Sequence, residues 1–166
     1  MSKKPSGKAP EKKSEDAIHV VARNRRARYE FDLIEKVEAG IVLTGTEVKS
    51  LRNGKSSLEE AYASLERDEV WLYGCDIPEY LEANRMNHKP KRPRKLLLHR
   101  SEIDKISART NEKGITLVPL QIYFKRGLAK VEICLAKGRK TYDKREALKK
   151  NEAKREMDRF LKRNRY

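Results

Sequence analysis

The chain has 166 residues, with 40 Lys and Arg against 25 Asp and Glu and a formal net charge of +15. This length fits one domain with tails, and the charge is typical of a protein with a phosphate-rich partner rather than of an enzyme. The sequence contains no run of 18 apolar residues, no signal-peptide core and no lipidation motif. We therefore expect no membrane association and a cytoplasmic location.

The first 16 residues are rich in Lys, Ser and Pro, and prolines aside their only apolar side chains are Met1 and Ala9. Such a segment cannot bury enough apolar surface to offset the entropy lost on ordering, so we expect residues 1–16 to be disordered. A folded domain is predicted over 17–136, followed by a basic tail over 137–166.

The first strand of the folded part is predicted around Tyr29, Phe31 and Leu33, whose apolar side chains alternate. Gly40 is expected to supply a positive φ in a tight turn, so that this strand pairs with residues 41–44 as a hairpin. A short helix over 47–51 is expected next, with Thr46 as its N-cap and Asn53-Gly54 as its end. Its open side would carry Lys49 and Arg52.

Residues 58–77 predict a second hairpin that turns at 67–69, because strand-forming side chains flank Arg67 and Asp68. Residues 79–95 show no periodicity and predict a long loop that is basic at its end. A helix starting after Ser101 should bury Ile103 and Ile106 and stop by Gly114. Two further strands follow, over 115–124 and up to Leu135, with a turn at 125–127.

These elements amount to about six antiparallel strands with two or three helices. Short strands in hairpins favour a small closed barrel, which leaves no exposed sheet edge. The predicted fold class is therefore mainly β, an OB-like barrel, with a two-layer α+β sandwich as the alternative. Cys75 and Cys134 lie in strand-like segments and are expected to be buried, reduced thiols.

The last thirty residues, 137–166, hold 13 Lys and Arg against 5 Asp and Glu, a net charge of +8. Ala153, Met157 and Phe160 have helical spacing, but so narrow an apolar stripe does not dock on a core. We expect the tail to be disordered alone and helical when it lies on an anionic surface.

Signs of catalysis are missing from the sequence. It has no Gly-rich phosphate loop, no His-Glu-x-x-His and no Cys pair with metal-ligand spacing. His19, His88 and His99 are tied to no carboxylate or Cys pattern and are expected to be surface or packing residues. We predict no enzyme activity, no cofactor and no metal, which leaves a nucleic-acid-binding module, with structured RNA favoured by the barrel and the foldable tail.

Residues 38–55, EAGIVLTGTEVKSLRNGK, closely resemble the signature of the SsrA-binding protein family, also called small protein B. Members of this family are the bacterial protein partners of transfer-messenger RNA. Five further segments agree with the family in the same order, and the resemblance spans about 18–163. These segments are 24–27, 94–98, 114–120, 130–131 and 136–145.

The resemblance implies an OB-like barrel that binds the tRNA-like domain of transfer-messenger RNA. The alanyl-charged complex, carried by elongation factor Tu, would enter a stalled 70S ribosome, and the tail would occupy the decoding centre of the small-subunit rRNA and the empty mRNA channel. Translation would then resume on the RNA's own reading frame and tag the incomplete peptide for degradation. The alternative is a generic rRNA-binding protein or ribosome-associated RNA chaperone.

The resemblance also implies roles for particular residues. Family positions implicated in RNA binding match Asn24, Glu38, Leu97 and Lys130, and the candidate set adds the basic residues Arg25, Lys49, Arg52 and Lys95. The decoding-centre segment matches Tyr142, Asp143, Lys144 and Arg145, with Lys137, Arg139 and Lys140 beside it. Glu38 would either accept hydrogen bonds from the RNA or brace Lys130, and Leu97 would either contact RNA or pack within the protein.

Overall fold

A computed structural model describes residues 18–83 and 87–139, and in the tail residues 152–153, 155–157 and 159–160, which are helical. Seven strands and three further helices lie in the first two of these ranges. The strands are β1 (His19–Arg23), β2 (Phe31–Ile41), β3 (Tyr62–Glu66), β4 (Glu69–Tyr73), β5 (Arg94–Leu97), β6 (Ile115–Lys125) and β7 (Leu128–Gly138), and the helices are α1 (Ala27–Glu30), α2 (Gly45–Arg52) and α3 (Arg100–Thr110). The predicted N-terminal disorder over 1–16 lies outside the described residues.

The sheet closes on itself. Its strand order is β1-β6-β3-β4-β5-β2-β7, and β7 also pairs with β6. The six strands from β6 to β7 therefore form a ring, and β1 lies outside the ring and pairs with β6. All pairings are antiparallel. The interior is filled by fully buried side chains such as Leu72, Ile122 and Ile133. The predicted fold class, a mainly β protein built on a closed antiparallel sheet, is confirmed.

The predicted hairpin around Gly40 is wrong. Gly40 lies inside the single eleven-residue strand β2, where it pairs with Leu97 of β5 and with Lys130 of β7. Its backbone does not have positive φ. A Cβ at this position would lie 3.2 Å from the Cβ of Leu97, so glycine is needed here for the close approach of β5 rather than for a turn.

Two more boundaries differ from the sequence prediction. Tyr29 belongs to the one-turn helix α1 rather than to a strand, and the strand before it is β1. Residues 94–97, assigned to the loop and to the approach of a helix, form β5. Arg94 and Leu96 of this strand are buried, and the buried charge of Arg94 hides the alternation that would have revealed a strand.

The remaining elements are confirmed with small shifts. The β3–β4 hairpin turns at Arg67 and Asp68, which both have positive φ, and the β6–β7 hairpin turns at 126–127. Helix α2 has Thr44 rather than Thr46 as its N-cap and therefore begins at Gly45, and α3 has His99 rather than Ser101 as its N-cap. Cys75 and Cys134 are buried free thiols, as predicted.

A buried ion pair fixes α2 against β5. Glu47 of α2 and Arg94 of β5 are both fully buried, and the Arg94 Nε lies 2.9 Å from Glu47 Oε1. The other guanidinium nitrogens of Arg94 donate to the carbonyl oxygens of Cys75 at 2.6 Å and Pro90 at 2.8 Å. The Nη2 atom of Arg92 also donates a hydrogen bond to Glu47 Oε2 at 2.6 Å. This network joins the helix, the strand and the loop between β4 and β5.

The ionisation of Glu47 follows from these contacts. Burial alone would raise the pKa of this carboxyl, but the hydrogen bonds from Arg92 and the Thr44 amide, with the nearby charge of Arg94, lower the pKa below its ordinary value. Glu47 is therefore charged at neutral pH and fully compensated.

His88 fastens the same loop. Its Nε2 lies 2.9 Å from the Ile77 carbonyl oxygen and its Nδ1 lies 2.9 Å from the Thr46 hydroxyl. Because a carbonyl oxygen can only accept, Nε2 carries a proton, and in the neutral ring Nδ1 accepts from the hydroxyl. His88 is buried, so it is a packing residue, one of the two alternatives expected for it.

We predict that Glu47→Gln destabilises the protein by about 3–5 kcal/mol, because it leaves the buried Arg94 charge uncompensated. Urea unfolding followed by circular dichroism would measure the change. The control is Glu60→Gln, which removes the fully exposed partner of Lys91 and should leave the unfolding midpoint unchanged. Equal midpoints for the two variants would contradict the structural role of the buried pair.

A second prediction compares two glycines with positive φ, Gly74 (66°) and Gly127 (76°). Alanine at either position should cost roughly 1 kcal/mol for the left-handed backbone. At Gly74 the new Cβ would lie 2.5 Å from the Glu60 carbonyl oxygen, whereas at Gly127 it meets open space. Gly74→Ala should therefore cost roughly 1–3 kcal/mol more, since the backbone must shift. Similar unfolding free energies for the two variants would exclude this close contact.

Candidate nucleic-acid interface

Glu38 is the centre of a polar cluster on the outer face of three adjacent strands. Its carboxylate on β2 accepts hydrogen bonds from the Lys130 ammonium group on β7 and from the Tyr123 hydroxyl on β6. Lys125, also on β6, lies 3.4 Å from the same carboxylate. Strand β2 and the distant β6–β7 hairpin thus place two cations and a phenol around one anion.

These contacts keep Glu38 ionised. The hydrogen bonds from Lys130 and Tyr123 lower the pKa of Glu38 to about 2, while burial and the bond to Glu38 raise the pKa of Tyr123. The carboxylate oxygens are occupied by protein donors. Of the two roles considered for Glu38, the geometry favours bracing Lys130 over accepting hydrogen bonds from RNA.

Leu97 lies beside this cluster with 53% of its surface exposed. It points out of β5 next to Gly40, and both line a shallow groove together with Lys130 and the exposed Leu128. An adjoining depression is lined by Glu38, Leu97 and Lys130, so three of the RNA-binding candidates converge on one place although they are far apart in the chain. Exposure of two leucines beside paired charges makes this groove suited to unstacked bases and sugars rather than to phosphate alone.

Asn24 has a structural role. Its amide nitrogen donates to the Leu58 carbonyl oxygen at 3.2 Å, and its Oδ1 accepts from the Ala27 amide at 3.0 Å. The side chain is buried, so it joins the start of α1 to the segment before β3. Its contacts are therefore made within the protein, whereas the neighbouring Arg25 is exposed.

The other basic candidates on the barrel lie apart from the Glu38 cluster. Lys49 and Arg52 are exposed on α2, as predicted, and the Lys49 ammonium lies 5.5 Å from the centre of the Tyr80 ring. Lys95 points outward from β5 and donates to Glu69. Its charge is thus already paired within the protein.

Of the tail candidates, two are described. Lys137 is an exposed residue of β7, and Arg139 donates from Nε to Asp32 at 2.6 Å and from its amide to the Glu30 carbonyl oxygen at 3.0 Å. The candidates Lys140, Tyr142, Asp143, Lys144 and Arg145 lie outside the described residues. Met157 and Phe160, in the helical part of the tail, are 67% and 65% exposed.

Tyr123 was missed from the sequence. Ile122 and Phe124 pack in the main core and identify the inner face of this part of β6, so Tyr123 between them lies on the outer face. The β6–β7 hairpin pairs Tyr123 with Lys130, which would have placed the phenol near the proposed Lys130 site.

Two observations bear on other kinds of site. Within 18–83, 87–139 and the helical tail positions, no group of three or more His, Cys, Asp or Glu side chains is arranged to hold a metal ion. No helix in the same part of the chain is long and apolar enough to cross a membrane.

Comparison with known proteins identifies the family. The family model described as SmpB protein matches residues 21–163. The SsrA-binding protein of Rhodopseudomonas palustris (strain TIE-1) is 54% identical over 150 residues, which is 90% of this chain and 96% of the relative. The SsrA-binding protein of Thermobifida fusca (strain YX) is 56% identical over 145 residues, 87% and 91% of the two chains.

A solved structure agrees with this assignment. It is described as "tmRNA-SmpB: a journey to the center of the bacterial ribosome", and its chain is 45% identical to this one with a TM-score of 0.63. The match covers 76% of this chain and 92% of that chain. The chain therefore belongs to the SmpB, or SsrA-binding protein, family.

Proposed function

We propose that this protein binds the tRNA-like domain of transfer-messenger RNA and acts with that RNA in trans-translation on stalled 70S ribosomes. The observation that carries this proposal is the convergence of Glu38, Leu97 and Lys130 on one groove of a chain that belongs to the SmpB family. The solved relative, named for transfer-messenger RNA and the bacterial ribosome, supports the same partners.

The groove is suited to reading RNA shape. Glu38 holds the Lys130 ammonium group in one position, and the exposed Leu97 and Leu128 offer an apolar surface beside it. Phosphate contacts fix orientation, whereas contacts with exposed bases and sugars give specificity. A braced lysine next to two leucines supplies both kinds of contact within one small area.

We also propose a division of labour along the chain. The barrel, with β7 extended to Gly138 and anchored by Arg139, binds the tRNA-like domain. The segment from Lys140 onward, with a net charge of +6, enters the decoding centre of the small-subunit rRNA and the vacant mRNA channel, where Tyr142 to Arg145 act. Delivery occurs as the alanyl-charged complex with elongation factor Tu in the cytoplasm, and the protein acts by binding, with no chemical step of its own.

The first test is competition between the tRNA-like fragment of transfer-messenger RNA and ordinary tRNA, near physiological salt. The wild-type protein should prefer the fragment by about tenfold or more, equivalent to about 1.4 kcal/mol. Glu38→Gln, Lys130→Ala and Leu97→Ala should each reduce this preference to less than about threefold, because each alters the braced groove. Filter binding or fluorescence anisotropy gives the dissociation constants.

Glu38→Gln separates two explanations, since it adds one positive charge to the surface. If charge alone drove binding, this variant would bind both RNAs more tightly and preference would not fall, which would favour generic rRNA binding instead. The control Glu60→Gln adds the same charge beside Lys91, away from the groove, and should leave the preference unchanged.

The second test removes the tail. A chain ending after Arg139 keeps all of β7 and the Arg139–Asp32 contact. It should retain its preference for the tRNA-like fragment but fail to support peptide tagging in a reconstituted translation system. The matched control carries residues 140–166 in scrambled order, which keeps the net charge and should also fail. Loss of the RNA preference on truncation, or tagging by the scrambled tail, would contradict the division of labour.

A further inference from the structure

Many cations on this protein are already neutralised by the protein itself. In the Glu38 cluster one carboxylate offsets one of the two charges of Lys125 and Lys130, and elsewhere Lys95 is paired with Glu69. Such paired cations release few counterions when RNA binds, because their charge is compensated beforehand. The phosphate attraction expected of a +15 protein must therefore come from other side chains.

Arg23, Arg25 and Arg28 form a group of uncompensated cations at the corner between β1 and α1. All three are exposed, and none of their side chains has an ion pair or hydrogen bond to a residue in the described part of the chain. The scaffold beneath them is firm, because β1 pairs with β6 at Arg23 and Gln121 and because the Asn24 side chain is buried with both ends hydrogen-bonded.

Two adjoining depressions lie at this corner, and Arg23 and Arg25 line both of them. The first also includes Ser56, and the second includes Arg28 and Gln121. We call the three arginines with Ser56 the arginine corner.

The Ser56 hydroxyl is a second feature of this corner that suits an anion. Its Oγ is buried and has no hydrogen-bond partner among the described residues, although a buried hydroxyl ordinarily has one. A hydroxyl can donate to a phosphate oxygen. Ser56 lines a depression with two guanidinium groups, and a change of its rotamer would turn the buried, unpartnered hydroxyl toward an anion bound there.

We propose that the arginine corner is a binding site for the RNA sugar-phosphate backbone, separate in task from the groove at Glu38. The inference deepens the proposed function: it takes the RNA partner from there and assigns the sequence-independent, salt-sensitive part of the affinity to this corner. Guanidinium groups suit this task because they stay charged and bind phosphate in a bidentate manner. Glu59, which lines the first depression, opposes anion binding there.

The experiment measures the salt dependence of binding for the full chain with the tRNA-like fragment and with an unrelated RNA duplex. The test variant is Arg23→Gln/Arg25→Gln/Arg28→Gln. The control is Lys91→Gln/Arg100→Gln/Arg109→Gln, which lowers the net charge equally but removes exposed cations already paired with Glu60, Asp68 and Glu112.

The test variant should reduce the slope of log K against log salt by about 2, since each lost phosphate contact contributes about 0.7–0.9. It should weaken binding to both RNAs by the same factor, so that the preference for the fragment is unchanged. Equal slopes for the test and control variants would overturn the proposal. Absence of any wild-type preference for the fragment would instead refute the proposed function and leave the slope result valid.

Two single variants refine the test. Ser56→Ala should weaken binding to both RNAs by about tenfold, as for a lost hydrogen bond to a charged group, without lowering stability, because the hydroxyl has no partner to lose. Glu59→Gln should strengthen binding to both RNAs. Unchanged binding in Ser56→Ala together with weaker binding in Glu59→Gln would overturn the assignment of the first depression to phosphate.

Discussion

One buried carboxylate determines where several parts of this protein lie. Glu47 Oε1 accepts from Arg92 Nε at 2.8 Å and from Arg94 Nε at 2.9 Å, while Oε2 accepts from Arg92 and from the Thr44 amide at 2.7 Å. Removing two charges from water is costly, and only such complete hydrogen bonding compensates for it. The network fixes α2 and the loop before β5 relative to each other. Strand β5 in turn places Leu97 beside Gly40 of β2.

Two regions of the basic surface, the Glu38 cluster and the arginine corner, differ in how their cations are paired. At the Glu38 cluster the cations are partly compensated and held in place by one carboxylate, which favours discrimination between RNA shapes over attraction alone. At the arginine corner the cations are uncompensated, which favours attraction at long range. The formal net charge does not distinguish these two situations, because it counts a lysine braced by a carboxylate and a solitary arginine alike.

The sequence allowed the closed β fold, the hairpins β3–β4 and β6–β7 and both longer helices to be predicted, since local alternation and turn residues determine them. It did not allow the partners of β2 to be predicted. That strand pairs with β7, about a hundred residues away, and the glycine near its end has the same local pattern as a turn. Arg94 obscured strand β5 for a related reason, because only the tertiary structure supplies the partners that allow a charge to be buried.

The resemblance to a known family located the candidate residues but not their separate roles. Asn24 and Glu38 both match positions implicated in RNA binding, yet Asn24 is a buried connector and Glu38 braces a lysine. Tyr123 donates to the same Glu38 carboxylate, but only the register of the paired strands reveals this contact. Contacts of this kind depend on which strands are neighbours, and neighbouring strands are determined by the closure of the whole sheet.

The Arg139 contacts have a consequence for the 27 residues that follow them. The bonds to Asp32 of β2 and to the carbonyl oxygen of Glu30 in α1 fix the residue that follows β7, so the tail starts at a defined point on the barrel. Under the proposed division of labour, the tail meets its site on the ribosome while it is joined to the bound barrel, and covalent linkage raises the effective concentration of the second segment. The same segment supplied as a separate peptide would lack this gain.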